Sequence, residues 1–570
     1  MGVDGVTDDV LAWAAMHVPA DAARSRSRGR ATAKEHMVSR TRRGFGGMAV
    51  ASAVLLAGTA VIAAPGGSQW ISAGGDLQNT RSQPSETKLT VDNVGSLTPK
   101  WAFTTGGDVS ATPAVDGNTV YVPDWAGNLY AINKKTGEQI WRASIAAASG
   151  VPFDKARATP AVAGNKVVIG TQGSILVPGG GPGGKILAFD KTTGDLLWST
   201  VADPHPASII TQSATVFDGR VYVGVASQEE ALAGFVPGYP CCTFRGSMLA
   251  LDVDTGQILW KTSLAPPDYS GNAVWGSSPA IDVKRGQLYI ATGNNYSVPQ
   301  SVLDCVAAAA PDPEDTAACI AADNHFDSIM ALDLKTGAIR WVTRAIPFDA
   351  WTTSCLPPPF GDGSNCPQPE GPDYDFGQAP AIFRVKDAGG HSRELVGAGQ
   401  KSGQYWALDP DTGAVVWVTE AGPGGTGGGL QWGSAVDGQR VYTANANSNA
   451  VPWHLPSGAV TTTGVWSALD AATGEVIWQR SSPNPSNGLF GDTSGPPTTA
   501  NGVVYACSLD PQGHMYALDA ATGTVLWSFA SGGSCLSGAA ISNGTLYWGS
   551  GYSNFGAGTP NNKLYAFGLW

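Results

Sequence analysis

Seven copies of one phrase constrain this chain more than any other feature. It reads AINKKTGEQIW over residues 131–141, AFDKTTGDLLW over 188–198, ALDVDTGQILW over 250–260 and ALDLKTGAIRW over 331–341. It returns as ALDPDTGAVVW over 407–417, ALDAATGEVIW over 468–478 and ALDAATGTVLW over 517–527. Each copy is a strand, an Asp-x-x-Thr-Gly turn (Asn133 in the first copy) and a second strand. Glycine takes the positive φ the turn needs, while Asp and Thr side chains bond turn amides. A second phrase, as in SATPAVDGNTVYV or WGSAVDGQRVYTA, occurs eight times and pairs a small-residue strand with a β-branched or aromatic one. Eight four-stranded units of about 45 to 80 residues predict an all-β, eight-bladed β-propeller with tryptophan-docking repeats. An open solenoid would leave blade edges bare. The last unit ends at Lys563–Phe567 with no turn phrase after it, so its outer strand is expected from Leu97–Phe103. Trp101 then serves as that blade's Trp, and the repeat tryptophans read as structural spacers.

Composition supports this architecture and excludes others. The chain has 570 residues, 74 of them glycine, and only 14% are charged, which argues against long helices. A hydrophobic content of 43% argues against disorder. The net charge of −12 argues against a nucleic-acid partner, which needs a basic face. Residues 48–64, MAVASAVLLAGTAVIAA, follow Ser39-Arg40-Thr41-Arg42-Arg43-Gly44-Phe45. A basic region, a short apolar region and a small-residue end predict a twin-arginine-like signal peptide over 37–64. The expectation is an exported protein, periplasmic or secreted, with no stable membrane span after cleavage. Residues 1–36 are an uncertain upstream segment before Met37, and 65–570 form the propeller.

Eight cysteines suit an oxidising compartment. None forms a Cys-x-x-Cys pair or a Cys-x-x-Cys-His haem motif. Proximity suggests 305–319 and 355–366 as pairs, and Cys507 and Cys535 belong to neighbouring repeats. The adjacent Cys241 and Cys242 either bond to each other, the favoured reading, or to distant partners.

The docked tryptophans, the eight blades and the opening SAGGDLQNTRSQPSETKLTVDNVGSLTPKWAF resemble the PQQ-dependent quinoprotein alcohol dehydrogenases from about Gln69 to Trp570. The resemblance implies a pyrroloquinoline quinone and a Ca²⁺ held by hard oxygen ligands. VYVGVASQE is similar to the family's Glu-bearing strand end, which makes Glu229 a metal ligand, with Glu230 its possible substitute. Asn294, in Ala291-Thr292-Gly293-Asn294, is the second ligand. Asp323, in Ala322-Asp323-Asn324, is the expected general base and third ligand; Asp327 is the rival. Trp275 is expected as the floor under the quinone, where a π face stacks on a flat ring. Arg157 would pair with cofactor carboxylates, Thr211 would touch the cofactor, and Lys401 would sit near the quinone oxygens. Cys241 and Cys242 would cap the site as a vicinal disulfide, although the family carries that pair earlier in the chain. At Ser110, many members have a Glu that this sequence lacks.

The cysteine insertion and Gly429-Leu430-Gln431-Trp432-Gly433-Ser434-Ala435 look most like the polyvinyl-alcohol dehydrogenase branch, with Trp432 walling the pocket. The implied activity is alcohol oxidation, on polyvinyl alcohol or other secondary alcohols. With no haem motif, electrons must leave to a separate acceptor such as cytochrome c. The alternatives are a non-enzymatic exported scaffold or sensor, and a quinoprotein acting on sugars. The irregular segments 299–322 and 351–377 are expected to shape access.

Overall fold

The repeated turn makes the outer hairpin of each blade. Asp190 Oδ1 accepts from Thr192 N at 2.8 Å and Thr193 N at 3.0 Å, and Gly194 closes the turn at φ +78°. In the computed structural model, which describes residues 69–570 except 174–182, 359, 387–388, 487–489 and 555–557, this hairpin recurs seven times. The proposed leader at 37–64 lies outside the described residues. Each hairpin carries a register shift just before its turn, as at Ala188/Phe189 and Ala250/Leu251.

Eight antiparallel meanders follow in chain order, seven of four strands and the third with a short fifth strand, Ser208–Ile209. The first is Ala114–Asp116, Thr119–Pro123, Asn128–Asn133 and Gln139–Ser144. The eighth is Ala540–Ile541, Thr545–Ser550 and Lys563–Gly568, with Thr98–Thr104 as its outer strand. Trp101 pairs with Ala566 and Thr104 with Lys563, so the two ends of the propeller share one blade. The expected closure is observed, one residue later than 97–103.

Tryptophans join blade to blade. The indole N–H groups of Trp101, 141, 198, 260, 341, 417, 478 and 527 each donate to a backbone carbonyl of the next unit at 2.9–3.3 Å. Seven of the rings also lie against the next blade's turn glycine. A Cβ built on Gly194 would sit 2.7 Å from Trp141, and one on Gly256 2.5 Å from Trp198. The glycine is therefore required twice, by its φ and by its neighbour.

A second device is absent from the repeat. Each innermost strand has a free edge facing the channel, and buried amides there need partners. Residues 70–83 thread past these edges. Trp70 exchanges both backbone bonds with Val115, and the carbonyls of Ile71, Leu77, Gln78, Thr80 and Arg81 accept from Val162, Ile281, Ile382, Val436 and Thr499. Gln83 Nε2 reaches Ile541 O at 3.2 Å. The opening motif is thus an axial plug touching seven blades.

Four disulfides form: 241–242, 305–319, 355–366 and 507–535. The 299–322 segment is helical, Gln300–Ala309 and Pro313–Ala318, tied by its disulfide. No helix among the described residues is long and apolar enough to cross a membrane.

Candidate functional site

The site is built by segments that join one blade to the next, or that link second and third strands within a blade. Blade four supplies Asn294 and Asp327. Its second strand, Gln287–Ala291, leads into Thr292-Gly293-Asn294, and its third, Ser328–Asp333, begins just after Asp327. Asn294 N donates to Asp375 Oδ1 at 2.6 Å, and its Nδ2 donates to Trp351 O at 3.0 Å. These bonds orient the amide and leave its Oδ1 for a ligand. Gly293 makes this approach possible: a Cβ there would lie 2.8 Å from Asp375 Oδ1 and 3.1 Å from Trp275 Nε1.

Asp327 stands at φ +40° and is completely buried. It faces Asp349, and neither of its carboxylate oxygens has a hydrogen-bond donor. Burial, then Asp349 and Asp375, hold its carboxyl well above the usual aspartate range. Asp349 accepts from Asp373 N at 3.1 Å and Tyr374 N at 2.6 Å. Burial raises it to about 7 against the pull of those amides.

Lys401 is 6% exposed and lies between Asp373 and Asp375, 2.8 Å and 3.2 Å away. Burial alone would lower its pKa, but Asp373, Asp375 and Glu230 raise it, so the ammonium stays charged. Nζ stands 5.6 Å from the Trp275 ring centroid. Glu230 completes the group. Its Oε1 is shut from solvent without a donor, and burial with Asp375 pushes its carboxyl up to about 8. Five carboxylates therefore share one ammonium, and two of them have oxygens with no protein donor. Hard oxygens without donors, on Asp327 and Glu230, are of the kind a hard cation takes.

Beside this group the axial channel holds a cavity of about 70 Å³, lined by Arg81, Thr112, Arg157, Thr211, Trp275 and Trp432 among others. Thr211 Oγ1 donates to Trp275 O at 2.9 Å, which fixes that backbone. Trp432, at φ +64°, stands edge-on to Trp275 with centroids 5.1 Å apart. The Arg157 guanidinium covers the Trp432 ring at 4.9 Å and interacts with Tyr552; burial lowers its pKa and Tyr552 opposes the fall. Among the described residues Arg157 pairs with no carboxylate. A half-buried cation with no carboxylate partner among the described residues, beside two indole faces, suits an anionic aromatic ligand.

The structure brings Asn294, Trp275, Thr211, Arg157 and Lys401 together and places two predicted residues elsewhere. Asp323 is exposed. Its neighbour Asn324 is locked inward by Asn272 at 2.8 Å and Asn295 at 2.8 Å, which turns Asp323 outward. Asp327 holds the interior position instead. Glu229 is buried, but backbone amides occupy both of its oxygens: Thr243 N at 3.0 and 2.9 Å and Phe244 N at 2.7 Å. Glu230 is the neighbour that enters the carboxylate group. Cys241 and Cys242 are bonded to each other, and Cys242 packs on the apolar cluster that Trp275 also joins.

Sequence reasoning missed Asp349, Asp373 and Asp375. The available signal was Asp373-Tyr374-Asp375, which precedes an inner strand much as Arg157 and Trp275 do. The plug residue Arg81 was also missed. It is buried and bonds Ala73 O at 2.6 Å and Pro497 O at 2.9 Å.

Comparison with known proteins gives three kinds of likeness. The profile of a family described as "Outer membrane protein assembly factor BamB" matches residues 59–343 and 401–567. A polyvinylalcohol dehydrogenase of Sphingopyxis sp. (strain 113P3) is 33% identical over 438 residues, 72% of this chain and 58% of that protein. One from Pseudomonas sp. is 30% identical over 467 residues, 78% and 65% of the two chains. The chain thus spans about three fifths of these relatives' length. The crystal structure of the quinohemoprotein alcohol dehydrogenase from Comamonas testosteroni shares the fold. Its TM-score is 0.63 at 19% identity, covering 88% of this chain and 80% of that one.

Proposed function

This chain belongs to the PQQ quinoprotein dehydrogenase family, and from that premise we propose that it oxidises alcohols with pyrroloquinoline quinone and a divalent cation, Ca²⁺ by its oxygen ligands. The observation that carries the reading is the buried Asp327, with no donor at either carboxylate oxygen, and the half-buried Glu230, whose Oε1 is shut from solvent without a donor, in the neighbourhood of Asn294 and Lys401. A propeller used only as a scaffold has no need of desolvated carboxyl groups without donors, since a buried polar group left unsatisfied costs about 1–3 kcal/mol.

Glu230 and Asn294 are the proposed cation ligands, with Asp327 the proposed third. Trp275 offers the stacking face and Arg157 the guanidinium for carboxylates, while Lys401 presents N–H donors to quinone oxygens. When bound, the quinone supplies the two-electron acceptor and the cation the Lewis acid. Asp327 is the proposed base. It is buried and free of donors, and in the ionised form that a cation bound at the site would favour it would accept the proton of a substrate hydroxyl. Lys401 keeps its charge because Asp373 and Asp375 hold it, so its donors stay fixed in position. The Cys241–Cys242 turn is proposed as the opposite wall. A three-ring ligand on Trp275 needs more room than the cavity of about 70 Å³ offers as it stands, and Trp432 is proposed to turn aside for it.

Secondary alcohols of the polyvinyl alcohol type are the proposed substrate class, by likeness to the two dehydrogenases. A separate electron acceptor and an exported location complete the reading, supported by four disulfides. Reconstitution tests it: purified protein is given quinone and Ca²⁺, and dye reduction is followed with polymeric and small alcohols. Turnover that Glu230→Ala abolishes is expected. Absence of both cofactor uptake and turnover would remove the reading.

A further inference from the structure

We propose that Glu229 is a positioning residue that holds the Cys241–Cys242 turn in place, while Glu230 beside it serves the carboxylate group; the functional part of this rests on the cysteine turn being a wall of the site.

The turn needs a brace. Between the helix Glu229–Phe235 and the strand Ser247–Asp252 the chain forms no regular secondary structure apart from an isolated bridge at Arg245. Its backbone donors must find partners outside a ladder. The Glu229 carboxylate gathers them from both sides of the cysteine pair. Tyr239, two residues before Cys241, donates its hydroxyl to Oε1 at 3.3 Å. Thr243 and Phe244, directly after Cys242, donate consecutive amides, the shortest at 2.7 Å. His205 Nε2 stands 3.6 Å from Oε1 and bonds Thr243 Oγ1 at 3.0 Å. A carboxylate offers about four acceptor sites on its two oxygens, enough for this set of donors.

The brace is itself anchored. Glu229 N donates to Ser227 Oγ at 2.9 Å. Thr353 Oγ1 donates to Glu230 O at 2.8 Å, and Asn365 Nδ2 donates to Ala233 O at 3.0 Å and Tyr239 O at 3.1 Å. Asn365 lies within the loop closed by Cys355–Cys366, and Thr353 stands two residues before it. The first turn of one short helix therefore ties the cysteine turn to the carboxylate group through adjacent residues. Because protein donors engage both oxygens of Glu229, its carboxylate is already committed and Glu230 is the one left open to a cation.

The test uses the full-length chain and the variants Glu229→Ala and Glu229→Gln. One arm measures how fast dithiothreitol opens the Cys241–Cys242 bond, read as alkylated peptide by mass spectrometry, and needs no cofactor. A second arm measures quinone affinity by tryptophan quenching, and a third Ca²⁺ affinity by calorimetry. Glu229→Ala should speed reduction and weaken quinone binding by about tenfold or more, the effect of losing hydrogen bonds to a charged group. Glu229→Gln, which keeps a carbonyl acceptor, should fall between, and Ca²⁺ affinity should stay within about threefold of wild type. Unchanged reduction in both variants would overturn the brace. So would a Ca²⁺ loss as large as that of Glu230→Ala, which would make Glu229 a ligand. If wild type takes up no quinone, the functional reading fails, and the reduction arm still decides the brace.

Discussion

Lys401 Nζ lies 2.8 Å from Asp373 Oδ1, and both groups are shut away from water. Removing one partner leaves an uncompensated charge in the interior. Lys401→Met should destabilise the metal-free chain by about 3–5 kcal/mol. The double variant with Asp373→Asn should recover a large part of that loss. Denaturant unfolding of the four proteins of this cycle measures the coupling directly.

Asp327 and Asp323 are four residues apart and have opposite surroundings. Asp327→Asn should lower alcohol turnover at least about 100-fold, the scale of a lost general base. It should leave the metal-free melting temperature unchanged or higher, because an amide facing Asp349 replaces two opposed carboxyls. Asp323→Asn, on the exposed side, should alter neither. Steady-state rates and calorimetric scans of both variants check this.

Gly256 and Gly219 have the same backbone, φ +71° and +72°, but only Gly256 meets an indole. Alanine at either position incurs the left-handed penalty of about 1–2 kcal/mol. Gly256→Ala should cost about 1–3 kcal/mol more, because its Cβ would sit 2.5 Å from Trp198. Equal losses in urea unfolding would show that the Trp contact yields without cost.

Arg384, Lys284 and Arg285 together hold the Glu394 carboxyl down at about 2, from an ordinary 4.5. A depressed carboxylate stabilises the fold fully above its unfolded pKa, and that contribution disappears as pH falls through the folded value. Part of the acid loss of stability between about 4.5 and 2 should therefore be missing in Glu394→Gln. Lys284 and Arg384 are mostly exposed, so salt should weaken the difference. Urea midpoints at pH 6 and pH 3 test the sign.

Much of the architecture was legible in advance because it is local. The Asp-x-x-Thr-Gly turn, the Trp at constant distance and the unmatched last unit required only short-range sterics and counting. The disulfides 305–319 and 355–366 were legible for the same reason, being close in sequence. Asn294, Trp275, Thr211, Arg157 and Lys401 were named through the family resemblance, each beside a recognisable strand, and the closed ring sets them in one neighbourhood.

Other features arise only once the ring is closed. Nothing within the turn phrase reveals that its glycine must also clear a tryptophan from the blade before. Adjacent positions such as Glu229 and Glu230 differ by about 100° around a helix, so chemistry alone could not say which one meets the backbone amides and which meets Asp375. Asp323 lost its expected place because Asn324 finds partners on Asn272 and Asn295, which come from separate stretches of the chain. Asp349, Asp373 and Asp375 read as ordinary loop acids until blade closure carries them to the axis and removes their water. Repeat, strand and turn are set by neighbours a few residues apart. Which carboxylates share one desolvated well is a matter of convergence through space, and no linear spacing records it.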